Sequence, residues 1–235
     1  KAIQIKNGEK KIIKVFGKKQ LNSINIDIPG DPSSAAFFTA LTLLKKKSSL
    51  KIKKVGLNPT RVGFYDLLKK HGAKINFSNI KKNNNEIYGD INIKSCKIKP
   101  LKASKEYYVK ATDEYPILFV IAGLTKGLST FKGIGDLANK ESNRIKEMQK
   151  ILKQIGIKTV SNKNEIKIYG KDNIKIKNKI INVPSLGDHR ICMSSLILSL
   201  LLGIKIKINS FETVYTSSPS FLKIIKSLGG NYEIK

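Results

Sequence analysis

Apolar positions along this chain follow a period of two at first. From residue 31 they run through one cycle three times. Ala2 to Phe16 and Asn22 to Ile28 alternate like strands. Each later cycle opens on an aspartate that starts an apolar helix: Asp31-Pro32-Ser33-Ser34-Ala35-Ala36, Asp113-Glu114-Tyr115-Pro116-Ile117-Leu118, and Asp188-His189-Arg190-Ile191-Cys192-Met193. A β-patterned segment follows, at Leu50 to Val55, Ser129 to Gly133 and Lys205 to Ile208. An amphipathic second helix then closes on a glycine before another strand, at His71-Gly72-Ala73, Ile155-Gly156-Ile157 and Leu228-Gly229-Gly230. Gly72, Gly156 and Gly229 stand where a helix end takes a left-handed residue. From 31 to 72, 113 to 156 and 188 to 229 the cycles span 41, 43 and 41 residues, and chance spacing does not produce such agreement. Further alternation at Glu86 to Lys94 and Glu165 to Tyr169 completes a βαβαββ unit, which places the chain in the α/β or α+β class.

The first helix of each unit is apolar nearly all round, as in Ile117-Leu118-Phe119-Val120-Ile121-Ala122, so three such helices are expected to pack together under a coat of sheets. If they run parallel, three positive helix ends converge on one surface suited to phosphate and carboxylate. Residues 1–27 stand outside the repeat and read as the tail of a separate domain, with Pro29-Gly30 as the crossover. Residues 28–235 form the repeated domain, in units of about 28–110, 111–185 and 186–235. The chain starts in a strand pattern without an initiator Met, so its start is expected to be internal to a longer gene product.

Composition changes this picture little. At 235 residues and 40% hydrophobic, the chain can bury a sizeable core. Its longest apolar runs fall short of the ~20 residues a membrane helix needs, and Cys96, Cys192, His71 and His189 show no metal-ligand spacing. A reducing cytoplasm is the expected compartment. The net charge of +28 invites a nucleic-acid partner, but only Arg61, Arg144 and Arg190 of the 45 basic residues are arginine. The tyrosines and phenylalanines sit in apolar helices or beside glycine turns rather than along a basic groove. A lysine-rich RNA-binding module is therefore the weaker reading. Where lysine fills most cationic positions, a surviving arginine marks a place that wants bidentate recognition of carboxylate or phosphate.

Six ordered elements carry a family resemblance: Pro29-Gly30-Asp31-Pro32-Ser33-Ser34-Ala35, Asn58-Pro59-Thr60-Arg61, Asp113-Glu114-Tyr115-Pro116, Lys140-Glu141-Ser142-Asn143-Arg144, Asp188-His189-Arg190 and Thr216-Ser217-Ser218-Pro219. In that order, on a threefold repeat, they resemble the C-terminal part of the EPSP synthases. The resemblance implies an enolpyruvyl transferase-like inside-out α/β barrel built from βαβαββ repeats, three of them here. It also implies transfer of an enolpyruvyl group from phosphoenolpyruvate to the 5-hydroxyl of shikimate 3-phosphate, without cofactor or metal. In this family the active site lies between two such domains, and the elements of the N-terminal half have no counterpart here. The resemblance thus implies a missing half as partner, a monomer when intact, neither nucleic acid nor membrane as partner, and no meaningful turnover by the 235 residues alone. The sister enzyme that transfers enolpyruvate to UDP-N-acetylglucosamine is the nearest alternative.

By this resemblance Asp113 takes the hydroxyl proton and contacts shikimate 3-phosphate, Lys140 binds the shikimate moiety, and Glu141 handles a proton at the phosphoenolpyruvate carbon. Arg144 and Arg190 bind phosphoenolpyruvate. From the residues alone, other readings stand beside these. Asp113 fits a helix N-cap as Asp31 and Asp188 do, and Arg190 fits an ion pair with Asp188 or Glu141. Lys140 and Arg144 share a face if they lie in the first turn of one helix. Ser33 and Ser34 read as caps of the first helix, and Arg61 as a tie from the Asn58-Pro59-Thr60 turn to a neighbouring carbonyl or carboxylate. His189 reads as positional. Asn143 replaces the family's usual Asp, Ala138 a common Arg, and Ser218 a Phe.

Overall fold

A computed structural model of the chain describes residues 2–7, 10–15, 17–18, 20, 23, 25–83, 86–174, 176, 180–184 and 186–234, with the backbone alone for 2–7 and 10–15. Strands β1 (Ala2–Asn7) and β2 (Lys10–Val15) form an antiparallel hairpin. The first unit then runs α1 (Pro32–Leu44), β3 (Ser49–Gly56), α2 (Gly63–Lys70), β4 (Lys74–Asn83) and β5 (Glu86–Lys94), with sheet order β3-β5-β4. Gly30 supplies the missing first strand as a parallel bridge to Val55, its N–H bonded to the Lys54 carbonyl at 2.8 Å. A bulge between Ile52 and Val55 accompanies this bridge.

The second unit runs β6 (Lys102–Ala103), α3 (Lys105–Ala111), a 3₁₀ turn at Thr112–Glu114, α4 (Tyr115–Gly123), β7 (Gly127–Lys132), a 3₁₀ turn at Gly135–Asn139, α5 (Arg144–Gln154), β8 (Lys158–Ser161) and β9 (Glu165–Gly170). Its sheet order is β6-β7-β9-β8, with β6 parallel to β7. The third unit runs β10 (Ile180–Val183), α6 (His189–Leu202), β11 (Lys205–Ile208), α7 (Thr213–Ser217) and α8 (Phe221–Ser227), and β10 pairs in parallel with β11. The expected βαβαββ order is therefore present in the first two units. In the third, 230–234 carries no strand, contrary to the expectation of one after Gly229.

The expected strand at Asn22 to Ile28 also fails: residues 23 and 25–28 are not in a strand, and Asn22 lies outside the described residues, as does Phe16. Alternation marks a strand only where a neighbour takes up its backbone hydrogen bonds. Gly72, Gly156 and Gly229 follow α2, α5 and α8 with φ of 95°, 76° and 89°, the left-handed stop their sequence positions call for.

Helices α1, α4 and α6 pack on one another and carry the core. Their first turns approach at one end, where Arg190 lies 3.5 Å from Asp113. Leu44 and Leu202, which end α1 and α6, and Leu124, which caps the end of α4, line one depression at the other end. The three helices are thus parallel, as the anion-site reading requires, and their N-terminal ends share one mouth. No helix among the described residues is long and apolar enough to cross a membrane.

Candidate active site

Two of the three opening aspartates cap their helices and one does not. Asp31 accepts the N–H groups of Ser33 (3.2 Å) and Ser34 (2.9 Å), and Asp188 those of Arg190 (3.0 Å) and Ile191 (3.4 Å). Asp113 sits instead in the 3₁₀ turn, two residues ahead of α4, and accepts no cap hydrogen bond. The cap reading of Asp113 is overturned, and Pro116 gives the reason. With Asp113 as cap, Pro116 would stand at N3, where it has no N–H to offer the cap. The helix begins at Tyr115 with Pro116 at its second position, which tolerates proline.

Freed from capping, the Asp113 carboxylate lies between two arginines, 3.7 Å from Arg144 Nη1 and 3.5 Å from Arg190 Nη2, with its side chain 35% exposed. Arg190 therefore pairs with Asp113, not with Asp188 or Glu141. Arg144 is the first residue of α5 and only 1% exposed. Its Nε donates to Asp188 Oδ2 at 2.9 Å and its Nη2 to Glu141 Oε2 at 2.6 Å, with Asp188 Oδ1 a further 3.4 Å away. Nη1 is buried and makes no hydrogen bond. A guanidinium so deep in the protein keeps its charge only against a dense anionic set, and the one donor left over points to the Asp113 side, where a small anion would find it.

Asp188 carries more than the cap. Burial alone would push its carboxyl up, but Arg144, the Ser142 hydroxyl (2.8 Å) and the Arg190 amide together hold it below the ordinary carboxylate value. The Ser142 contact was not legible in the sequence. Burial and the neighbouring Arg190 lower the His189 imidazole, which favours its neutral form at pH 7. A positional role fits that better than a charged one.

Lys140 and Arg144 do not share a helical face. Asn143 is the N-cap of α5, accepting the Lys146 N–H at 3.1 Å, so Lys140 falls outside the helix. Asparagine caps as well as aspartate does, which accounts for Asn143 structurally. Lys140 Nζ reaches back to Asp136 Oδ2 at 3.1 Å, and the Tyr108 hydroxyl donates to that same oxygen at 2.9 Å. The Tyr108 bond and Lys140 together lower the Asp136 carboxyl. Tyr108, on α3, stacks edge-on against Tyr115 at 5.4 Å. The sequence reading assigned neither α3 nor Tyr108 a part in the site.

On the first unit, Ser33 is not the cap that sequence reading made of it. Asp31 caps α1, and Ser34 adds its hydroxyl to Asp31 at 3.0 Å. The Ser33 hydroxyl receives Arg61 Nη2 at 3.0 Å, and burial pushes the Glu114 carboxyl up against the opposing influence of Ser33 and Arg190. Arg61 thus ties its turn to a hydroxyl, with the Asp31 carboxylate 3.8 Å off. Glu114 is the residue that sequence reasoning passed over. Its signal was available: a second acid directly before an all-apolar helix has no solvent to go to.

The family model described as EPSP synthase (3-phosphoshikimate 1-carboxyvinyltransferase) matches residues 2–225. The 3-phosphoshikimate 1-carboxyvinyltransferase of Zymomonas mobilis is 34% identical over 95% of this chain and 50% of its own length. That of Petrotoga mobilis is 39% identical over 89% and 48%. An EPSP synthase structure from Acinetobacter baumannii aligns over 98% of this chain and 52% of its own, with a TM-score of 0.82 and 31% identity. The enolpyruvyl transferase NikO of Streptomyces tendae shares the fold at a TM-score of 0.68 and 13% identity. The chain spans about half the length of the curated relatives it matches.

Proposed function

Because the chain belongs to the EPSP synthase family, we propose that it supplies the phosphoenolpyruvate-binding side of a cleft in which an enolpyruvyl group passes to the 5-hydroxyl of shikimate 3-phosphate. The observation that carries this reading is the Asp113 carboxylate held between Arg144 and Arg190 while its two repeat counterparts are spent on helix caps.

In the proposed reaction Asp113 takes the proton of the 5-hydroxyl as its oxygen bonds to C2 of phosphoenolpyruvate, and C3 gains a proton from Glu141. The resulting tetrahedral adduct then loses phosphate from C2, the phosphate carrying away the proton taken up by Asp113, and returns a proton from C3 to Glu141. The enol ether is left and free phosphate is released, so atoms balance with no oxidant or co-reactant. General acid and base assistance of this kind is worth roughly 10²–10⁴-fold. Arg144 and Arg190 bind the carboxylate and phosphate and meet the charge that builds on the leaving group. Arg144 is fixed for this by Asp188 and Glu141, and its free Nη1 by position faces the same side as Asp113. Lys140, steered by Asp136, takes the shikimate side. The shared N-terminal ends of α1, α4 and α6 add a positive field at the mouth.

The reading extends to a soluble cytoplasmic enzyme that works as a monomer once a second half closes the cleft, with residues 1–27 as the tail of that half and 28–235 as the repeated domain. It makes the 235 residues alone inactive. The test is a coupled phosphate-release assay on the protein as its gene encodes it, supplied with phosphoenolpyruvate and either shikimate 3-phosphate or UDP-N-acetylglucosamine. Release with shikimate 3-phosphate is expected. Release with the amino sugar alone would leave the fold right and the acceptor wrong.

A further inference from the structure

Tyr108 is only partly buried, yet it is held from several sides. Its helix, α3, is seated against a glycine near each end. A Cβ on Gly133 would come within 2.8 Å of the Lys105 Cα, and one on Gly63 within 3.0 Å of the Lys110 carbonyl carbon, so neither position has room for a side chain. Between these seats the Tyr108 ring stacks edge-on against the fully buried Tyr115 at 5.4 Å, and the Thr112 hydroxyl donates to the Tyr108 carbonyl at 2.7 Å. A phenol oxygen lies on the axis of its ring, so a ring fixed in place fixes the hydroxyl with it.

That hydroxyl donates to Asp136 Oδ2 at 2.9 Å, the same oxygen that lies 3.1 Å from Lys140 Nζ. Asp136 stands in the 3₁₀ turn Gly135–Asn139, which the Gly135 amide ties to Asn164 Oδ1 at 3.0 Å. Its side chain is 58% exposed and that of Lys140 30%. An aspartate–lysine pair so open to water gains little by itself, and holding the long lysine stem in one place costs conformational entropy. Left to themselves, the two side chains would sample many arrangements. Tyr108 is the member of the trio that the fold holds still.

We infer that Tyr108 is a positioning residue for the acceptor side of the site: its hydroxyl fixes the Asp136 carboxylate, and that carboxylate holds the Lys140 ammonium where it meets the shikimate moiety. The inference rests on the reading of Lys140 as a ligand of shikimate 3-phosphate. Tyr108 acts through Asp136 and touches no substrate group itself. The phosphoenolpyruvate side, built on Arg144, Arg190 and Asp113, shares no hydrogen bond with Tyr108 among the described residues. Loss of the hydroxyl should therefore be felt by one substrate and not by the other. A residue that only packs α3 in place would behave differently. Losing one oxygen while keeping the ring would then change neither KM, or would loosen the neighbouring Asp113 turn and move both together.

The experiment compares the protein as its gene encodes it with its Tyr108→Phe variant, alone and combined with Asp136→Ala. Tyr108→Phe should raise KM for shikimate 3-phosphate on the order of threefold, the scale of one hydrogen bond to an exposed carboxylate. KM for phosphoenolpyruvate and kcat should stay within about twofold of the parent, and the urea midpoint should not move. With Asp136→Ala already in place, Tyr108→Phe should change nothing further, since the hydroxyl then has no carboxylate to hold. An unchanged KM for shikimate 3-phosphate, a parallel rise in KM for phosphoenolpyruvate, the same rise in the Asp136→Ala background, or loss of the fold each overturns the inference. Lys140→Ala separates this failure from that of the underlying reading. If it leaves KM for shikimate 3-phosphate unchanged, the role given to Lys140 fails; if it raises that KM while Tyr108→Phe does not, the inference alone is struck.

Discussion

Asp188→Asn tests how Arg144 is kept charged inside the protein. The Asp188 side chain is fully buried, Arg144 is 1% exposed, and two guanidinium nitrogens face the carboxylate at 2.9 and 3.4 Å. Removing one member of a buried ion pair costs roughly 3–5 kcal/mol, because the other charge is left uncompensated. Two features moderate that figure. Asparagine can keep both cap hydrogen bonds to the first turn of α6, and Arg144 retains Glu141 at 2.6 Å. The expected loss is therefore near the lower end, about 3 kcal/mol. In urea, where a protein of this size has a slope of about 2–3 kcal/mol per molar, the midpoint drops by about 1 M or slightly more.

The pH dependence follows from the lowered Asp188 carboxyl. A carboxylate whose folded pKa lies below its unfolded value of about 3.9 gives its full stabilisation above that value, and loses it as pH falls through the folded one. The gap between the parent protein and Asp188→Asn should thus be widest at neutral pH and close below about pH 4. A gap under about 1 kcal/mol at pH 7 would show that Arg144 does not depend on this partner. A gap unchanged down to pH 3 would show that the lost charge is not its cause.

Other parts of the molecule yield further expectations. Asp136→Asn removes the negative charge that Tyr108 and Lys140 share. KM for shikimate 3-phosphate should rise, by about fivefold for so exposed a pair, and kcat should move less. Gly170→Ala places a Cβ against the backbone carbonyls of Ala122 and Thr125. Neither carbonyl can swing aside, so thermal or urea unfolding should report a loss of about 3 kcal/mol or more. Of the two cysteines in residues 1–235, Cys96 is partly exposed, whereas Cys192 is buried and its thiol is pushed up to about 11, chiefly by burial. Iodoacetamide at pH 8 should mark Cys96 in the folded protein and reach Cys192 only after denaturation, as peptide mass spectrometry will read out.

The fold was legible where local chemistry decides it. Asp31 and Asp188 cap because a short acid precedes free N–H groups. Gly72, Gly156 and Gly229 stop helices because each takes a left-handed φ. Asp113 looked like a third cap only while Pro116 was overlooked, since the ring removes the N–H that such a cap would need. That correction was available in the sequence. The strand expected at Asn22 to Ile28 depends on a partner, and alternation cannot name one. The same limit hid the two-residue strand at Lys102–Ala103, which exists through its parallel pairing with Thr130 and Phe131. In the site, Arg144 and Arg190 stood out against a lysine-rich background. Their partners did not, because Asp188 meets Arg144 across 44 residues and Ser33 meets Arg61 across 28. Contacts of that range belong to the packing of α5 on α6 and of the Asn58–Arg61 turn on α1, not to any local pattern.

The most direct measurement pairs turnover with stability in Asp113→Asn, made in the protein as its gene encodes it. Asp113 caps nothing and is partly exposed, so the urea midpoint should shift by less than about 1 kcal/mol equivalent. Phosphate release from phosphoenolpyruvate and shikimate 3-phosphate should fall by roughly 10²–10⁴-fold. Turnover kept within a few-fold, or lost only in step with the fold, would contradict the role given to this carboxylate between Arg144 and Arg190.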